Sequence, residues 1–204
     1  GSPVTLGQSI SSDDIAAGGL TFTPLANANG TSYDNFEFTV NDGVADSVDP
    51  STLTIDVTAV NDLPTGTSNT VTATEDTAFV FATANFGFAD VETDQLQSIT
   101  VTTLTSTGTL ALNGSTVTLG QSISSDDIAA GALTFTPVAN ANGTSYDNFE
   151  FTVSDGVADS LVPSTLIIDV TAVNDLPTGT SNTVTATEDT AFVFALADFG
   201  FTDV

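Results

Sequence analysis

Along the whole chain, short runs of apolar residues alternate with Thr, Ser and acids. Period-two alternation marks half-buried strands, because successive side chains point to opposite faces. Between residues 62 and 174 such runs fall at Val71-Thr72-Ala73, Ala78-Phe79-Val80-Phe81, Leu96 to Leu104, Leu133 to Pro137, Phe149 to Val153 and Thr165 to Val173. Thr109 to Leu112 and Val117 to Leu119 are expected to pair around Asn113-Gly114, a dipeptide suited to a hairpin turn. β-branched residues dominate the runs, and Gly, Asn, Asp and Pro mark the breaks. Phe79/Phe81 and Phe149/Phe151 each share one strand face, which assigns them to a core. Ser124 to Gly131 (SSDDIAAG) predicts a single helical turn, with a Ser or Asp cap, acids in the first turn and a Gly stop. Seven or eight strands in about 110 residues predict an all-β fold, an immunoglobulin-like Greek-key β-sandwich.

The pattern also repeats. Residues 1–91 return at 114–204 with ten mismatches, among them Pro3/Thr116, Asn41/Ser154, Asp49/Val162 and Thr54/Ile167. The offset is 113, from Val117 minus Val4. A period this long is a domain rather than a solenoid turn, so domains in tandem are expected. Asn61-Asp62-Leu63-Pro64 and Asn174-Asp175-Leu176-Pro177 read as linkers. On that reading 62–174 is a complete repeat, 1–61 the C-terminal part of a preceding one, and 175–204 the N-terminal part of the next. The chain then reads as an excerpt of a longer array. Faithful duplication suits length and reach better than catalysis.

Charge narrows the functional classes. The chain has 26 acids and no Lys, Arg or His. Its carboxylates must be solvated, screened by salt, or neutralised by metal. Nothing is available to neutralise phosphate, so nucleic acid is excluded as a partner. No apolar run is long enough for a membrane span, so membrane insertion is not expected. Cys is absent, so disulfides play no part. Without His or Lys, a serine hydrolase has no ordinary base. No carboxylic acid is marked as lying in an apolar cleft, as a glycosidase would need. An enzyme is not expected. Asn113-Gly114-Ser115 and Asn142-Gly143-Thr144 match glycosylation sequons, although Asn-Gly turns account for them better.

Six stretches of the repeat carry a family resemblance. They are Thr74-Glu75-Asp76-Thr77, Ala89 to Asp94 (ADVETD), Leu133 to Pro137 (LTFTP), Asn142-Gly143-Thr144, Phe149 to Gly156 (FEFTVSDG) and Val170 to Asp175 (VTAVND). In this order they resemble the cadherin-like, VCBS-type tandem repeats of large bacterial surface adhesins, the extender repeats of RTX-type adhesins. The resemblance implies a secreted or cell-surface location, neighbouring repeats of the same chain as partners, and Ca²⁺ as a stiffening ion between domains. The family's D-x-D-G-D loop stands here as Asp90-Val91-Glu92-Thr93-Asp94, without the Gly.

Greek-key geometry turns this into a ligand set. Alternate loops lie at opposite ends of a sandwich, which would gather Asp34, Asn61, Asp62, Asp90, Glu92, Asp94 and Asp155 at the first junction. The second would gather Glu75, Asp147, Asn174, Asp175 and Asp203. Hard oxygen ligands in such number suit Ca²⁺, which takes six to eight. Zn²⁺ and copper sites normally use His or Cys. The expected function is a calcium-stiffened structural spacer of a long adhesin, supporting cell adhesion or biofilm. A second reading is an extracellular fibre of identical chains joined head-to-tail by β-strand complementation. A third is a module that binds a glycan or surface directly.

Overall fold

The computed structural model describes residues 2–204, in two compact units, Gly1–Asn61 and Asp62–Val204. Each is taken by itself.

In the first unit, helix α1 (Ser12–Ala16) is capped by Ser11, whose side chain accepts from Asp14 N. Strands β1 (Gly30–Phe38) and β2 (Ser51–Val57) form an antiparallel hairpin, with Phe36 opposite Leu53 and Phe38 opposite Ser51. One face of this hairpin carries Phe36, Phe38 and Leu53, and all three are exposed.

The second unit is the all-β sandwich that the alternation demands. One sheet has the order β3 (Asn69–Thr74), β11 (Ser164–Thr171), β10 (Gly143–Ser154), β5 (Ser98–Val101), β8 (Ser122–Ser124). Its neighbours are antiparallel except for β3, which runs parallel to β11. The second sheet has the order β4 (Phe79–Val80), β9 (Leu133–Thr136), β6 (Thr109–Leu112), β7 (Ser115–Thr116), all antiparallel. The expected turn becomes α2 (Ser125–Ala129), capped by Ser124, which accepts from Asp127 N. α2 places Ile128 in the core.

The inward halves of the alternating runs meet between the sheets. Phe149, Phe151, Val153, Leu166 and Ile168 from the first sheet and Leu133 and Phe135 from the second are all buried. Each Phe so buried contributes roughly 1.5–3 kcal/mol by leaving water. The rings stack edge to face: Phe81 on Phe149 at 5.8 Å and Phe86 on Phe151 at 5.0 Å. Phe86 is delivered by a 3-10 turn (Thr83–Phe86) that the alternation does not announce. Gly87 ends that turn with φ 55°, and a Cβ there would meet Thr67.

Three expectations change. Asn113 and Gly114 both take positive φ, so the hairpin closes at once with Leu112 opposite Ser115. The partner strand is therefore 115–116 rather than 117–119; after Val117 the chain turns, Gln121 N donating to Thr118 O. The run from Leu96 to Leu104 yields only Ser98–Val101, because both Thr102 N and Thr103 N bond to Glu150 O, a bulge that breaks the ladder. At Asn142-Gly143 there is no tight Asn-Gly turn; the turn lies at 138–141, with Asn140 at φ 57°.

Candidate metal centre

Because β3 and β11 are parallel, the chain enters the complete repeat at one end and leaves at the other. The acids fall into two groups accordingly.

At the entry end, Thr65 and Ala89 bridge, which brings the 90–94 loop back beside the start of the repeat. Asp62 N donates to Glu92 Oε2 at 3.1 Å. Asp90 Oδ1 accepts from Asp94 N at 3.1 Å. The other oxygen, Asp90 Oδ2, is buried and has no hydrogen-bond partner among the described residues. A shielded carboxylate oxygen without a donor is costly, and a cation relieves that cost. Asp155 directly follows β10 at this same end and is 6% exposed; its Oδ1 accepts from Val157 N and Ala158 N, both at 2.7 Å. Asp94 is exposed.

At the exit end the acids are engaged by the protein. Glu75 is buried; Oε1 accepts from Val173 N at 2.6 Å and Oε2 from Asn142 Nδ2 at 2.9 Å. The Asn142 bond first, and the Val173 bond second, hold its carboxyl below the ordinary value. Asp147 lies within β10 rather than in a loop, at the register shift between Gly143 and Asp147. Its Oδ1 accepts from Ser106 N and Asn148 N, each at 2.9 Å, and Ser106 Oγ lies within 3.3 Å. Its Oδ2 accepts from Thr107 N at 2.9 Å and Gly108 N at 2.8 Å. Burial pushes this carboxyl up, but the backbone donors outweigh it and leave the carboxyl below its usual value. With each oxygen accepting two backbone N–H groups, Asp147 caps the 106–108 loop.

Asp34 is the equivalent of Asp147 in the first unit; it is exposed, and its Oδ1 accepts from Asn35 N. Asn61 is half-buried at the end of that unit. Asn174 Nδ2 donates to the Asp175 carbonyl at 2.7 Å, and Asp203 is exposed. The structure does not bring Glu75, Asp147, Asn174, Asp175 and Asp203 together. Among the described residues, no three acids are grouped so as to hold a metal ion. At the entry end, the unpartnered Asp90 oxygen is the feature whose burial a cation would relieve. Sequence reasoning missed Asn142 as the partner of Glu75 and the 106–108 amides as the partners of Asp147. Both are long-range pairs that no local spacing announces.

Residues 60–171 match the family model of the cadherin-like domain. A comparison with curated proteins gives no match.

Proposed function

The chain belongs to the cadherin-like domain family, and from that premise we propose that it is a calcium-stiffened spacer of a long secreted or bacterial cell-surface adhesin. The family is one of adhesion-related extracellular modules, structural rather than enzymatic. Among the described residues no helix is long and apolar enough to cross a membrane.

The observation that carries the calcium reading is Asp90 Oδ2, buried without a donor at the end where the linker joins the repeat. Asp90, Glu92 and Asp62 would hold the ion, with Asp94 and Asp155 at the same end of the repeat. Bound Ca²⁺ would supply positive charge that no side chain of this sequence carries. These residues do the rest: Glu92, bonded to the Asp62 amide, ties the linker to the 90–94 loop. Fixing that tie restricts the movement of the linker. Near-identical repeats suit this role, since a spacer needs no specialised copies.

The test is thermal unfolding in EDTA, in excess Ca²⁺ and in equal Mg²⁺, at fixed high NaCl. For free Ca²⁺ about 100-fold above the dissociation constant, linkage stabilises by about 2.7 kcal/mol. The expected result is an upward shift with Ca²⁺ alone, removed by Asp90→Asn. Superimposable curves in all three media would sink the calcium reading.

A further inference from the structure

Among the described residues, the two sheets of the complete repeat end in the edge strands β3, β8, β4 and β7. β4 and β7 have two residues each, and β8 has three and runs straight into α2. β3 has six, Asn69-Thr70-Val71-Thr72-Ala73-Thr74. It contains no charge, Pro or Gly, and its register with β11 is unbroken from Asn69 to Thr74. Shortness, charge, Pro and bulges are the devices that keep a sheet edge from pairing with another chain. β3 has none of them. Residues 62–174 hold the whole 113-residue period, so this open edge belongs to the complete repeat.

The ladder decides which backbone groups face outward. In a parallel pair, alternate residues turn N–H and C=O to opposite edges. Glu75 N donates to Thr171 O at 3.0 Å, and the Ala73 carbonyl accepts from Thr171 Oγ1 at 3.1 Å, so the odd-numbered residues face β11. Thr70, Thr72 and Thr74 therefore face the open edge. Two of their groups are satisfied within the repeat. Thr70 N donates to Asn69 Oδ1 at 2.8 Å, and the Thr74 carbonyl accepts from Thr77 N at 3.3 Å. The Thr70 carbonyl, the Thr74 N–H and both groups of Thr72 are left for another strand.

We infer that β3 pairs antiparallel with β3 of a second copy, about a two-fold axis at Thr72, joining their five-stranded sheets edge to edge. Thr72 exchanges both bonds with Thr72 of the second copy, and Thr74 N–H meets the Thr70 carbonyl. The groups already satisfied, Thr70 N–H and the Thr74 carbonyl, fall opposite each other. Every remaining donor thus finds an acceptor, and this self-complementarity favours a second copy over a foreign strand. Charge does not oppose the joint. The acid beside Thr72 is Asp169 on β11, and three strand spacings, about 14 Å, separate it from its mate. At physiological salt the Debye length is about 8 Å. The pairing uses no ion, so it goes beyond the calcium reading and does not depend on it. One joint of this size is weak. The same six residues recur at 182–187, one period on, so two arrays side by side would make such joints in parallel and gain by avidity.

The test is sedimentation of the 204-residue chain over a wide concentration range, in EDTA and about 1 M NaCl. The average mass is expected to rise with concentration and level off at twice 20.7 kDa, since a two-fold joint closes on itself. Thr72→Pro removes the central N–H, a change that an edge strand tolerates. It should leave the chain monomeric with its urea midpoint unchanged. Register is read by disulfides, since the chain has no Cys. Oxidised Thr72→Cys should give a covalent dimer, its Cα atoms being about 5.5 Å apart across the axis. Thr70→Cys should not, because it faces Thr74 of the second copy and lies about 14 Å along the strand from its own mate. If Thr72→Pro lowers the midpoint, the contrast between the two Cys variants decides. A monomer at every concentration, growth past the dimer, a dimer that survives Thr72→Pro, or equal cross-linking at Thr70 and Thr72 overturns the inference.

Discussion

Asp147→Asn separates a loop cap from a metal ligand. The carboxylate accepts four backbone N–H bonds, two on each oxygen, from Ser106, Asn148, Thr107 and Gly108. An amide keeps one oxygen and turns the other into a donor. Either orientation leaves two N–H groups facing an N–H. A buried donor without an acceptor costs about 1–3 kcal/mol. Ser106 and Thr107 are exposed, so water recovers part of this. The expected loss is about 2–4 kcal/mol, or a fall in melting temperature of roughly 10 °C for a repeat of this size. Urea unfolding measures it, in EDTA and again in excess Ca²⁺. The same loss in both media is expected, because the cap needs no ion. Asp34→Asn is the control: the same residue type in the same motif, exposed, with a single bond to its neighbour's amide. It should move stability by less than about 0.5 kcal/mol. A loss below about 0.5 kcal/mol for Asp147→Asn, or one seen only with Ca²⁺ present, would refute the capping argument.

Gly108→Ala should destabilise the repeat by about 1–3 kcal/mol, since a Cβ there would run into the Phe135 ring and lie 2.9 Å from the Thr136 carbonyl oxygen; chemical denaturation gives the value. Phe86→Ala empties a fully buried ring site against Phe81 and Phe151 and should cost about 3–5 kcal/mol. The near-ultraviolet circular dichroism should weaken with it. Acid should also act through the two lowered carboxyls. Glu75 and Asp147 titrate below their ordinary values of 4.5 and 3.8 in the folded chain. Their contribution is therefore complete above those values and disappears as pH falls through the folded ones. General charge repulsion is common to the parent and to Asp147→Asn, so the difference between their stability curves should shrink below about pH 4. A constant difference across that range would contradict the assignment.

The alternation of apolar and polar residues determined the sandwich, because in a strand it fixes which side chains face inward. The runs at Val71, Phe79, Leu133, Phe149 and Thr165 all became strands of the two sheets, and the Ser124 cap with its two following acids became α2. The 113-residue period identified the repeat itself. What the alternation cannot carry is pairing across distance. That β3 lies parallel to β11, that a 3-10 turn drops Phe86 onto Phe151, and that Ser122–Ser124 adds an edge strand to β5 were settled by packing between sheets. The same holds for the acids. In sequence, Asp147 and Asp90 are both Asp residues in polar stretches. Folding brings four amides to Asp147, three of them about 40 residues away, and leaves Asp90 Oδ2 shielded with none. A carboxylate's fate depends on which donors reach it. Donors arrive by tertiary contact, and only the folded chain determines them.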